Sequence, residues 1–222
     1  MYKKILIVED IDSISLGVKT VIENHLTSAD IRCTKYCDEA YLKINRAKLE
    51  GEPFDLIITD LSFKEDHRES KLKSGEDLIA AIRGTDTRTP IIVYSVEERL
   101  YKIKQLFDNK YINAFVNKGR DSAQEIIDAT RSLYVGARYI SPGLSHILKK
   151  NAFIEIEETD VELLRHLSEG LTQQEISNVF KQKGINSSST SSIEKRINKL
   201  KIYFKANNTI HLISTVKDVG II

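Results

Sequence analysis

The sequence has little that would tie it to a membrane, an oxidising compartment or a charged polymer. Its 33 Lys and Arg stand against 32 Asp and Glu, a formal net charge of +1. No global field therefore calls for a nucleic-acid or membrane partner, and any such preference must come from a local patch. No apolar run approaches the roughly 20 residues that a membrane-spanning helix needs. The N-terminus, MYKKILIVED, meets Glu9 and Asp10 before the apolar core of a signal peptide could form. A cytoplasmic protein without a membrane partner is the expectation. Cysteine occurs twice, at Cys33 and Cys37. Their even spacing in IRCTKYC would put both on one face of a strand, where a disulfide is geometrically poor and a metal would want more ligands. Free thiols in a reducing cytoplasm are expected.

What is present is an ordinary globular composition in 222 residues, 41% hydrophobic and 29% charged, enough for one large domain or two smaller ones. Residues 1–135 alternate short apolar runs with helical patterns. Strands are predicted at Ile5–Val8, Ile31–Tyr36, Leu56–Thr59, Ile91–Ser95 and Ala114–Val116. Between them Ile14, Val18, Val21 and Ile22 fall at helical spacing, as do Leu78, Ile79 and Ile82, and Leu100, Ile103 and Phe107. A further helix opens at Ser122, with Glu125 placed for a capping box. Alternating β and α implies a doubly wound α/β domain with a five-stranded parallel sheet and helices on both faces.

From Gly136 to Ile156 the pattern breaks, which predicts a linker over 136–156 with one short helix at 143–150. No strand signal follows. Thr159 and Glu162 form a capping box ahead of Leu163, Leu164 and Leu167, and Gly170 is placed to end that helix. Thr172 and Glu175 form a second box. Ile193, Ile197, Leu200 and Phe204 share one helical face, and a last helix runs from near Asn208 to Gly220. Residues 157–222 are thus expected to be a small all-α domain of four helices, without internal repeat.

Chemistry gathers at the carboxyl ends of the strands in an open parallel sheet. The first predicted strand runs into Glu9 and Asp10, the third into Asp60, the fourth into Ser95 and the fifth into Lys118. Three carboxylates brought together repel one another and call for a hard cation, which suits Mg²⁺. Lys118 adds a positive charge and Ser95 a hydroxyl donor, a combination able to hold a small tri-oxygen anion beside a carboxylate. Asp60, at the centre, is the natural nucleophile for phosphoryl transfer. Alone, each of these residues would read as a turn residue or a solvated charge. Four strand ends with the right chemical types in this order are harder to explain that way.

Residues 1–135 resemble the receiver domain of bacterial two-component response regulators, a flavodoxin-like fold. The resemblance rests on Glu9-Asp10 in ILIVED, Asp60 in LIITD, Ser95 in IIVYS and Lys118 in AFVNK. It implies that Asp60 is the phosphoacceptor, receiving phosphate from a sensor histidine kinase. Glu9, Asp10, Asp60 and the carbonyl of Ser62 would surround Mg²⁺. Lys118 would pair with the phosphoryl oxygens, and Ser95 would hydrogen-bond them, coupled to Phe115 at the switch-aromatic position. Plain packing is the competing reading for Phe115. The chain departs from the family after Asp60. Phe63 and Lys64 stand where a Met-Pro-like pair is usual, and the loop 63–74 reaches Gly75 about seven residues late, long enough to be remodelled.

The second half resembles the LuxR/NarL type of helix-turn-helix output domain, through ETDVELLRHLSEGLTQQEIS and the preceding GARYISP. Lys181, Lys183, Lys195, Arg196, Lys199, Lys201 and Lys205 face only Glu194 in that stretch, the electrostatic footprint of phosphate-backbone binding. The resemblance puts Thr190, Ser191, Glu194 and Lys195 near base edges of double-stranded DNA and Lys199 on phosphate. It departs at GINSSSTSSIE, where about two or three extra residues precede the helix and Ser189 takes a position usually held by a core Val. The combined expectation is a DNA-binding transcriptional regulator switched at Asp60, forming homodimers on paired half-sites, and not an enzyme beyond slow loss of its own phosphate. A phosphorylation-independent regulator and an adaptor whose helical domain binds protein are the alternatives. A metal-dependent phosphatase would need a general acid that the chain does not offer.

Overall fold

The computed structural model describes residues 2–64, 67–97, 99–109, 111–144, 156–218 and 221–222. The chain folds as two compact units, one holding a parallel sheet and one built of helices. Among the described residues, no helix is long and apolar enough to cross a membrane.

In the first unit, strands and helices alternate: β1 (Lys4–Val8), α1 (Asp12–His25), β2 (Asp30–Thr34), α2 (Cys37–Leu49), β3 (Leu56–Thr59), α3 (Gly75–Arg83), β4 (Ile91–Ser95), α4 (Leu100–Asp108), β5 (Ala114–Asn117), α5 (Ser122–Tyr134) and β6 (Tyr139–Ile140). The sheet order is β2-β1-β3-β4-β5-β6, with every pairing parallel. A parallel sheet covered on both faces needs apolar side chains at successive positions rather than alternate ones, and KILIV and LIIT supply them. Ile5, Ile7, Ile58, Ile92 and Val116 pack into a core with Val18 and Ile22 of α1 and Ile126, Ala129 and Leu133 of α5. Leu6, Ile57, Val93 and Phe115, at the intervening positions, are equally buried and point to the opposite face. Each such side chain contributes about 2 kcal/mol on leaving water.

The sheet has six strands among the described residues, not five. The sixth, Tyr139–Ile140, lies within the segment read as a linker and pairs Tyr139 with Ala114 and Ile140 with Phe115. Two residues are too few to show a period, and Gly136, in the left-handed region at φ 78°, turns the chain back after α5. The two cysteines do not share a strand. β2 stops at Thr34, so Cys33 is half-buried on the strand and Cys37 is buried at the start of α2, both as free thiols. The spacing of Ala40, Ile44 and Ala47, all buried in α2, is the helical signal that the strand reading overlooked. Burial and the nearby carboxylates of Asp38, Asp77, Asp10 and Asp60 push the Cys37 thiol up to about 12, which leaves it inert. Ser122 caps nothing: the residue before α5 is Asp121, with no side-chain cap bond, and Glu125 serves elsewhere. Of the short helix expected at 143–150, a 3-10 turn covers 142–144, and the remainder lies outside the described residues.

The second unit comprises α6 (Glu158–Ser168), α7 (Gln173–Gln182), α8 (Thr190–Tyr203) and α9 (Thr209–Asp218). Leu163 and Leu164, Ile176 and Phe180, Ile193, Ile197 and Leu200, and Leu212 and Val216 meet in one core. Thr172 and Glu175 form the predicted capping box, with bonds of 3.3 and 2.7 Å, and Gly170 closes the preceding turn at φ 89°. Asn208 caps α9 through the amide of His211 at 2.8 Å. The expected end of that helix at Gly220 lies outside the described residues. α6 begins two residues earlier than a Thr159 cap would place it, with Glu157 as its N-cap, where Asp160 accepts the amide of Glu157 at 2.9 Å. The same carboxylate, 1% exposed, is gripped by the Arg196 guanidinium through Nε and Nη2. That pair ties α6 to α8.

A buried carboxylate stripped of its cation is costly. Arg196→Met is expected to lower the unfolding free energy of this unit by about 3 kcal/mol, measured by urea denaturation followed by far-UV circular dichroism. Adding Asp160→Asn is expected to recover part of the loss, and an unchanged midpoint in the single variant would contradict the assigned role.

Candidate functional site

The carboxyl ends of β1, β3 and β5 converge on one ion cluster. Glu9 and Asp60 follow the last residues of β1 and β3 and are 2% and 5% exposed. Lys118 follows β5, and its Nζ donates to Glu9 Oε2 at 2.7 Å and to Asp60 Oδ2 at 2.6 Å. The other oxygen of Asp60 accepts the amides of Leu61 at 2.6 Å and Ser62 at 3.3 Å. Glu9 Oε1 accepts the amide of Ile11 at 3.3 Å. Asp10 is half-buried, and its Oδ2 accepts the amide of Lys64 at 2.9 Å. Burial raises the Glu9 carboxyl, against the pull of Lys118. Burial alone would depress the Lys118 ammonium, but hydrogen bonds and charge from Asp60 and Glu9 outweigh it and hold its pKa above the ordinary lysine value.

Three carboxylates and one ammonium leave two negative charges, in a set of oxygen donors that suits a hard divalent cation by type and by charge. Lys118 takes one oxygen from each of Glu9 and Asp60. Among the described residues no three acidic, His or Cys side chains are gathered closely enough to hold a metal ion. The remaining predicted residues surround this cluster in different ways. Ser95 is fully buried at the end of β4, where its Oγ accepts the amide of Glu97 at 3.4 Å and its carbonyl accepts the amide of Lys118 at 2.9 Å. Ser62 is exposed at the start of the loop, and Phe115 is fully buried in β5.

Two features were not read from the sequence. Gly75 opens α3 against the backbone of Asp60. Its amide donates to the carbonyl of Leu61 at 3.0 Å, and a Cβ there would lie 1.9 Å from the carbonyl oxygen of Asp60. Only glycine allows this approach, and the signal was a lone glycine at the return of a polar loop. The second feature is Ser141, in the stretch read as connector. Its hydroxyl accepts the amide of Asn117 at 2.8 Å and donates to the carboxylate of Glu125, while its own amide donates to the carbonyl of Phe115 at 2.9 Å. Ser141 is thereby bonded to β5 within one residue of Lys118, and is buried there.

In the second unit, Ser191, Glu194, Lys195 and Lys199 are exposed on α8 and Thr190 is half-buried in its first turn. Ser191, Lys195 and Lys199, at i, i+4 and i+8, share a face away from Ile193, Ile197 and Leu200, with Glu194 beside it, whereas Thr190, three and seven residues before Ile193 and Ile197, lies on the apolar side of the helix. Ser189 is the N-cap, accepting the amide of Ser192 at 3.2 Å, which sets the start of the helix. The basic stripe is narrower than the sequence implied, since acids from α6 oppose it. Arg196 is bound to Asp160 and Lys183 to Glu162.

Comparison with known proteins bears on the fold. No protein-family model matches the chain, and no curated protein matches it in sequence. Among solved structures, the chain shares its fold with those of the RcsB response regulator. The RcsB response regulator of Salmonella typhimurium matches with a TM-score of 0.69 at 18% identity, over 97% of this chain and 99% of that one. A structure of two RcsB dimers bound to two parallel DNAs matches at 0.69 and 19%, over 99% and 100%. RcsB from Salmonella enterica serovar Typhimurium bound to promoter rprA in the presence of the phosphomimetic BeF₃⁻ matches at 0.63 and 20%, over 98% and 100%.

Gly75→Ala tests the packing around Asp60. The clash cannot be relieved by a side chain, so a loss of about 3 kcal/mol is expected, seen as a lowered midpoint in thermal unfolding. An unchanged midpoint would show that the approach to Asp60 is not tight.

Proposed function

We propose that the chain is a two-component response regulator in which Asp60 accepts a phosphoryl group and the helical unit binds double-stranded DNA. The observation that carries the reading is the Lys118 ammonium held between Glu9 and Asp60 at the ends of three strands. An oxygen of Asp60 attacks phosphorus, and the bond to the donor's phosphohistidine nitrogen breaks, with the histidine leaving and taking up a proton. The partner is a sensor histidine kinase. Glu9, Asp10, Asp60 and the carbonyl of Ser62 are the oxygens that would hold Mg²⁺, once drawn closer together than they stand here, and the ion would supply charge neutralisation at the phosphoryl oxygens. Lys118 is already aimed at Asp60 and so is preorganised for the charge that arrives there.

Phosphorylation adds close to two negative charges beside a lysine that already serves two acids. Lys118 must then share its donors, and Ser95, whose hydroxyl accepts a long bond from the amide of Glu97, turns that hydroxyl to the phosphoryl oxygens. Phe115 moves with Ser95 as the switch aromatic. β5 also carries the bonds to Ser141, so the same event reaches the segment that leads out of the first unit. The output is a shift between two conformations that changes dimerisation and access of α8 to DNA. RcsB, which shares the fold, is bound to DNA as dimers, which supports a homodimer and a DNA partner here. Ser191, Glu194 and Lys195 then face base edges and Lys199 a phosphate. The protein is a cytoplasmic regulator and not an enzyme, its only turnover being loss of its own aspartyl phosphate.

Two outcomes test this. Asp60→Asn is expected to abolish labelling by a small acyl-phosphate donor in Mg²⁺, and a variant that labels like wild type would overturn the assignment. For the output unit, the affinity for duplex DNA is expected to fall steeply with salt, and Lys199→Ala to reduce the log–log slope by about 1. A slope near zero in the wild-type chain would point instead to a protein partner.

A further inference from the structure

Asp10 is held differently from the other two acids of the cluster. The Lys118 ammonium bonds to Glu9 Oε2 and Asp60 Oδ2 at 2.7 and 2.6 Å, whereas Asp10 Oδ2 accepts the main-chain amide of Lys64 at 2.9 Å. That bond joins the end of β1 to the root of the loop after Asp60, where Lys64 lies in backbone that is neither helix nor strand. Among the described residues, no three acidic, His or Cys side chains stand close enough to hold a metal ion. Glu9 and Asp60 meet at one ammonium, and Asp10 is the member drawn aside, toward the loop.

A half-buried carboxylate beside two others is destabilised by their charge unless it finds a partner of its own. A bond from an amide N–H to a carboxylate is charge-assisted and stronger than one between neutral groups. The amide of Lys64 therefore does for Asp10 what the ammonium does for Glu9 and Asp60. Residue 64 stands where the receiver family usually has a proline, which has no N–H to give, so the bond is a property of this chain. The far end of the loop is fixed separately. Lys71 and Leu72 donate their amides to Asp38 at 2.8 and 3.1 Å, and Lys73 and Ser74 donate theirs to Asp77 at 3.0 and 3.1 Å. The bond between Lys64 and Asp10 can thus open while those four hold.

We propose that the main-chain amide of Lys64 competes with Mg²⁺ for the Asp10 carboxylate. Lys64 is a positioning residue. Its N–H settles Asp10 outside the metal set, and the bond opens when Asp10 turns toward Glu9 and Asp60. Affinity for the ion is thereby lower than the same carboxylates would give without the competing donor, and the root of the loop is coupled to occupancy of the metal site. The inference rests on the metal assignment of Glu9, Asp10 and Asp60 made above.

The test follows that amide directly. Hydrogen exchange in the full chain is read residue by residue by NMR, with and without saturating Mg²⁺ and with no phosphodonor. The Lys64 amide is expected to exchange about tenfold faster with Mg²⁺ bound, the reverse of the protection a ligand usually confers. The amides of Lys71, Leu72, Lys73 and Ser74 are expected to keep their rates. Calorimetric titration with Mg²⁺ gives a second readout. Lys64→Pro, which removes the N–H, is expected to bind the ion about tenfold more tightly than Lys64→Ala, which loses the same ammonium but keeps the N–H. If Lys64→Pro does not fold, the exchange measurement on the wild type decides alone. A Lys64 amide that slows or keeps its rate with Mg²⁺ bound, or a folded Lys64→Pro that matches Lys64→Ala, overturns the proposal and leaves the metal assignment standing. Absence of Mg²⁺ binding in all three chains overturns the metal assignment and the competition with it.

Discussion

The ammonium of Lys118, between the carboxylates of Glu9 and Asp60 at 2.7 and 2.6 Å, is the contact on which the rest of the first unit turns. Two carboxylates this deeply buried and this near each other would repel strongly at low dielectric. One cation that serves both makes the arrangement tolerable while leaving the pocket short of positive charge. The fold supplies the geometry. β1 and β3 are neighbours in the sheet and β5 lies two strands further along, so their ends can only meet if the strands are parallel and finish level. The continuous apolar runs bury those strands on both faces, and the charged ends are what remains at the rim.

Much of this could be read from residue order alone. An apolar run ending in a carboxylate, repeated on two strands, and another ending in lysine, placed the cluster before any coordinates did. β3 and β4 were legible to the residue because each is a short β-branched run that stops at a polar side chain. What escaped notice had weak local signals. β6 is two residues long, and its pairing with β5 depends on Ser141, whose partners are distant in sequence. α2 was obscured by an apparent strand alternation through Cys33 and Cys37. Gly75 was visible only as the end of a loop, since the crowding that demands glycine comes from the backbone of Asp60.

The second unit shows the same division between local and tertiary signals. Caps at Thr172 and Asn208 and the apolar face of α8 are written within a turn or two of the residues concerned. The charge balance of α8 is not. Asp160 and Glu162 sit on α6, and only the fold brings them to Arg196 and Lys183. A count of lysines along one stretch therefore overstated the basic surface, while Ser191, Glu194, Lys195 and Lys199 remain on an exposed face. In both units, acids taken from a neighbouring element decide which cations are structural and which face outward. The loop after Asp60 obeys the same rule in reverse, with Asp10, Asp38 and Asp77 occupied by main-chain amides.

The central claim is that Asp60, and no other residue, carries the phosphoryl group. Borohydride reduction of the phosphodonor-treated protein, followed by peptide mass analysis, locates an acyl phosphate by converting the modified aspartate to homoserine. The account predicts that conversion at position 60 alone. Reduction at a different position, or none in a protein that has taken up phosphate, would contradict it.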